Sequence, residues 1–128
     1  MSEQKGLVFV NGTEGTLEFL VDQVAGFEGE QDIFVEISTS YKSVKTSTKK
    51  DSVKVAELNE VLKLELLGLE NDIKIRVMDW DRFSSNDELA TQTFAIADVT
   101  STHSVEKAWI RLNNGVSVRL RIRFTPKE

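Results

Sequence analysis

The sequence predicts an all-β chain, an antiparallel β-sandwich of about eight short strands, and three observations carry that prediction. In "VSVRLRIRF", Val116, Val118, Leu120, Ile122 and Phe124 share one face while Ser117, Arg119, Arg121 and Arg123 share the other, the two-residue period of a half-buried strand. The same alternation runs through "VLKLELL" and "DIKIRVMD", and the turn signal "GLEN" separates those two runs. Convincing helical stretches are scarce and proline is nearly absent from the apolar runs, which favours a sandwich over an α/β fold.

Taken in order, the candidate strands are Leu17 to Val24, Ile33 to Ser38, Lys42 to Thr48, the run from Glu60 or Val61, "DIKIRVMD", Ala90 to Ile96, Ala108 to Leu112 and the final "VSVRLRIRF". "VKVAELNEVLKLELL" is rich in helix formers, but its second half alternates strictly and has no 3.6-residue stripe, so strand is preferred there. "IADVTS" is expected to form a short helical turn.

Composition narrows the function. A chain of 128 residues is one domain's worth. The formal net charge of -5 argues against a nucleic-acid partner, because phosphate contacts need a basic surface. The absence of cysteine removes disulfides, thiolate catalysis and Cys-based zinc sites together. The N-terminus lacks the apolar core of a signal peptide, and Ser2 stands where myristoylation needs Gly, so the expected location is cytoplasmic. His103 is the only histidine and no nucleophile or phosphate-loop signature accompanies it, so no enzyme is expected.

One stretch stands out chemically. "VMDWDRFSSNDELA" places Asp79, Asp81 and Asp87 within nine positions at the end of a strand. Residues two apart on a strand project the same way, with Cα atoms roughly 6.5 to 7 Å apart. The oxygens of Asp79 and Asp81 can therefore converge on one small cation, and calcium takes six to eight hard oxygen ligands. The same residue types are also ordinary turn formers. An EF-hand fails, because Phe83, Ser84 and Ala90 occupy positions that need Asp or Asn, Gly and Glu, and the chain has no room for the nucleotide-binding body of a sugar transferase.

That stretch resembles the third calcium loop of the C2 domain family. "QDIFVEI" is similar to the family's Asp-Pro-Tyr-Val stretch, "LNEVLKL" to its Trp-Asn-Glu-x-Phe-x-Phe stretch, and "WIRL" with "GVSVRLRIRFTP" to its last two strands. The resemblance implies an eight-stranded antiparallel Greek-key β-sandwich over residues 15–126 in the circularly permuted, type II order. Residues 1–14 would form an extension in which "GLVFV" could add a strand, and residues 127–128 a tail. It also implies Ca2+ held by Asp32, Asp79, Asp81 and Asp87, with Glu28 and Glu30 as further candidate ligands. The implied function is calcium-dependent, reversible docking on anionic phospholipid membranes, with Phe27 and Phe83 entering the interfacial region.

In some family members a lysine-rich face binds phosphoinositides, and Lys42, Lys45, Lys49 and Lys50 are the matching candidates; lysines also guard exposed strand edges. The chain departs from the family pattern at Gly26, where the first loop normally carries another Asp, and at Ile33, Leu58 and Ala90. The competing reading is a calcium-independent module that binds a protein partner. The row of Arg119, Arg121 and Arg123 either adds to a basic surface or faces solvent and nearby Glu residues.

Overall fold

The computed structural model describes residues 13–101 and 104–127, with seven strands and one short helix among them. His103 and "GLVFV" lie outside the described residues. The strands are β1 (Gly15–Ser38), β2 (Ser43–Lys45), β3 (Lys49–Leu66), β4 (Asp72–Asp79), β5 (Asp87–Ala95), β6 (Ser104–Arg111) and β7 (Ser117–Pro126); α1 covers Ile96–Thr100. All pairings are antiparallel.

Two expected strands are fused. Leu17 to Val24 and Ile33 to Ser38 belong to one 24-residue strand, because β1 keeps pairing with β3 through the intervening segment by register shifts at Ala25/Glu30 and Gln31/Ile33. The first half of β1 pairs with β3 and β7, and the second half with β2, β4 and the start of β3. β1 thus serves both layers, β3-β1-β7-β6 and β2-β1-β4-β5, which restores the eight strand positions of the predicted sandwich.

β3 also starts earlier than expected, at Lys49, because the tertiary partner Glu30 to Ile33 recruits Lys49 to Val53 into the ladder. The predicted strand from Lys42 to Thr48 shrinks to Ser43–Lys45. The helical turn forms as expected, at Ile96–Thr100. Between the layers, Leu17, Phe19, Val21, Ile33, Val35, Leu64, Ile75, Val77, Val118 and Leu120 are buried, the inward halves of the alternating patterns read from the sequence. The turn after β3 is tied by Glu70, which is 1% exposed; its carboxylate accepts N–H bonds from Leu67, Gly68 and Leu69 at 2.9 to 3.1 Å. Among the described residues no helix is long and apolar enough to cross a membrane.

Candidate functional site

Three chain segments meet at one end of the sandwich. The first is the middle of β1. Gly26 has φ +90 there, and a Cβ on it would stand 2.2 Å from the Gly115 carbonyl oxygen. Close approach of the β6–β7 turn therefore excludes the aspartate that the family pattern places at this position. Past the bend, Asp32 is fixed by three bonds: its N–H donates to Asp79 Oδ1, its carbonyl accepts from the Trp80 N–H, and its Oδ1 accepts from the Asp51 N–H, each at 2.8 Å.

The second segment is the start of β3, where Asp51 has φ 56, a left-handed conformation that aspartate tolerates better than most residues. The third is the connection from β4 to β5. Its tip is closed by two bonds, from the Asp81 N–H to Asn86 Oδ1 at 2.8 Å and from the Phe83 N–H to Asp81 Oδ1 at 2.9 Å.

These segments form an open basin lined by Glu30, Asp32, Asp51, Asp79, Trp80, Asp81 and Arg82. Five of those seven side chains are carboxylic acids. The electrostatics follow from the crowding: a hydrogen bond to Asp51, the charge of Asp51, desolvation and then the charge of Asp32 raise the pKa of Glu30 above the ordinary glutamate range. Asp81 shifts the other way, held below the usual carboxylate range chiefly by the Phe83 backbone N–H and then by the Ser84 side chain. Cations border the basin. The Lys50 ammonium stands 4.9 Å from the centre of the Trp80 ring, and the Arg82 guanidinium 5.8 Å from that of Phe83.

The fold thus brings Asp32, Asp79, Asp81 and Glu30 together. Asp87 sits opposite Asp79 in the β4–β5 ladder but does not line the basin, and neither does Glu28. Phe83 is 89% exposed at the loop tip, whereas Phe27 is 7% exposed and packs in the hydrophobic core. The expectation that Phe27 touches membrane is therefore corrected: the bend at Gly26 turns its ring inward, where apolar burial outweighs exposure. The lysines divide between two places. Lys42 precedes β2 and Lys45 ends it, with the Lys45 ammonium 5.5 Å from the centre of the Phe34 ring, while Lys49 and Lys50 open β3 beside Asp51.

Asp51 is the basin carboxylate that sequence reasoning missed. It follows two lysines in "KKDS" and has no partner at a telling spacing; only the pairing of Glu30 and Gln31 with Val53 and Ser52 brings it to Asp32. The donor chemistry of the basin fits calcium, which prefers carboxylate oxygens. Among the described residues, however, no three such side chains stand close enough to hold a metal ion together.

A family model described as "C2 domain" matches residues 18–112. The chain belongs to the C2 domain family. It is 29% identical over 126 residues to phosphatidylserine decarboxylase proenzyme 2 of Saccharomyces cerevisiae, covering 96% of this chain but 11% of that protein. Among solved structures, a C2 domain-containing protein from a putative elicitor-responsive gene superposes with a TM-score of 0.76 at 17% identity, covering 96% of this chain and 97% of the other. A C2 domain of a plant extended synaptotagmin 1 gives 0.75 at 17%, covering 91% and 98%. A calcium-bound pair of C2 domains from extended synaptotagmin 2 gives 0.74 at 14%, covering 89% and 46%.

Proposed function

We propose that this domain attaches to anionic phospholipid membranes in a calcium-dependent way, through the loops that surround the acidic basin. The observation that carries the reading is the convergence of Glu30, Asp32, Asp51, Asp79 and Asp81 beside the exposed Phe83. Bound there, calcium would supply positive charge and coordination positions open to lipid phosphate. Without a cation, the carboxylates repel an anionic surface. Asp32, Asp79 and Asp81 are the residues that would hold the ion, with Asp51 and Glu30 supplying the charge that the first loop lacks at Gly26. Phe83 is then free to enter the interfacial region. Phosphatidylserine is the first lipid to test, since the yeast relative is a phosphatidylserine decarboxylase proenzyme. Lys49 and Lys50, near the same end, would add attraction of about 1 kcal/mol per charge at an anionic surface.

The specific observation favouring the second reading, a calcium-independent interaction domain, is that no three carboxylates among the described residues are gathered at ligating spacing. Calorimetric calcium titration with a magnesium control, alongside co-sedimentation with phosphatidylserine vesicles, separates the two. Saturable calcium binding and calcium-dependent sedimentation, both weakened in Asp81→Asn, are expected. Absence of heat and of sedimentation at millimolar calcium would transfer the assignment to the calcium-independent reading.

A further inference from the structure

The arginine row of β7 is not used by the basin. Val118, Leu120, Ile122 and Phe124 are buried, so Arg119, Arg121 and Arg123 stand on the outer face of the β3-β1-β7-β6 layer. Arg119 is partly engaged: Asp22 lies 3.7 Å from its guanidinium and 3.5 Å from the Lys107 ammonium. Among the described residues, neither Arg121 nor Arg123 has a carboxylate within ion-pairing distance. Arg123 sits opposite Glu18 in the ladder, but the ion pair of Glu18 goes to Lys63 at 4.0 Å. β6 shifts register between Val105 and Ala108, so Arg121 has no residue paired with it on that side.

Apolar side chains accompany the row. Trp109, 47% exposed, pairs with Arg119, and Arg121 pairs with Leu20, which pairs in turn with Val61, 53% exposed. Arg and Trp are the residue types that most often anchor protein interfaces, and guanidinium forks match carboxylates in a bidentate way.

We propose that this face docks an extended acidic polypeptide segment carrying carboxylates on alternate residues. Arginines two apart on a strand repeat at roughly 6.5 to 7 Å, the same repeat as every second side chain of an extended partner. The match is in both charge and period. Glu18 and Glu57, opposite Arg123 and beyond Arg119 in the neighbouring strands, repel an acidic segment that strays from the row. A polypeptide is favoured over lipid by orientation, a step that rests on the proposed membrane docking: the row runs along the strand away from the loop end, so a domain seated by its loops holds this face side-on, in water.

The test uses two labelled peptides of the same composition, one alternating glutamate with threonine and one with its glutamates in a block. Anisotropy is read in chelator and without lipid, so the outcome is independent of calcium and membrane binding. The alternating peptide is expected to bind more tightly than the block peptide, and Arg121→Gln with Arg123→Gln to weaken it by about tenfold or more. Arg121→Lys with Arg123→Lys, which keeps charge and fold, is expected to fall between. Failure of the alternating peptide to bind, equal binding of the two peptides, or unchanged binding by the Gln variant would overturn the proposal. Loss of vesicle sedimentation in the Gln variant would also overturn it and make this face a lipid surface.

Discussion

Replacing Asp32 by two different residues separates its role in the fold from its proposed role at a cation. The Asp32 side chain makes one bond that a substitution can remove, from the Asp51 N–H to Oδ1 at 2.8 Å; its other two bonds are made by its backbone. Asp32→Ala frees an N–H on an exposed residue, which water can satisfy, so the loss is about 1 kcal/mol. Asp32→Asn keeps an oxygen acceptor and should change stability by less than about 0.5 kcal/mol. For 128 residues, the unfolding entropy is roughly 270 cal/mol/K, so 1 kcal/mol moves the thermal midpoint by about 4 °C. In chelator, the Ala variant should therefore melt about 4 °C below wild type and the Asn variant within about 2 °C of it.

Calcium then separates the electrostatic role. A cation at a hundred times its dissociation constant stabilises the folded state by about 2.7 kcal/mol, or about 10 °C here. Wild type should show that rise in differential scanning calorimetry, and Asp32→Asn should lose most of it. A full calcium rise in Asp32→Asn would remove Asp32 from the ligand set. An Asn variant as unstable in chelator as the Ala variant would refute the assigned hydrogen bond.

Glu70→Ala leaves the buried Gly68 N–H without its acceptor and releases two more, a loss of about 2 kcal/mol or about 7 °C in thermal midpoint; a loss under about 2 °C would show that the turn holds without it. The pH dependence of Glu30 has a defined sign. Its folded pKa lies above the unfolded value, so its stabilising contribution is present in acid, below the ordinary glutamate range near about 4.3, and is lost as pH rises through the raised folded value. Glu30→Gln should therefore be more stable than wild type at pH 7 and lose that advantage in acid; a difference independent of pH would contradict the crowding of Glu30 against Asp51. Asp81, lowered in the folded state, contributes stability above about 3.9 that disappears as pH falls through its depressed value.

The parts of this molecule governed by local periodicity were legible in the sequence. Alternation in "VSVRLRIRF" and "DIKIRVMD" assigned β7 and β4, their buried faces and the outward arginines, because a strand's period of two depends on backbone geometry alone. Asp79 ends β4, whereas Asp81 lies past the strand and is placed by the loop bonds to Asn86 and Phe83, so the two-residue period accounts for the first and not for the second. The fusion of two predicted strands into β1 was not legible, since it depends on β3 continuing to pair across the bend at Gly26. The inward turn of Phe27 and the entry of Asp51 share that origin: each is set by which distant segments share a ladder or approach within contact. Sequence by itself determined the strand faces, the acidic third loop and the family. The tertiary structure alone decided which carboxylates share one basin and which aromatic ring meets solvent, because long-range pairing registers, not local spacing, bring those side chains together.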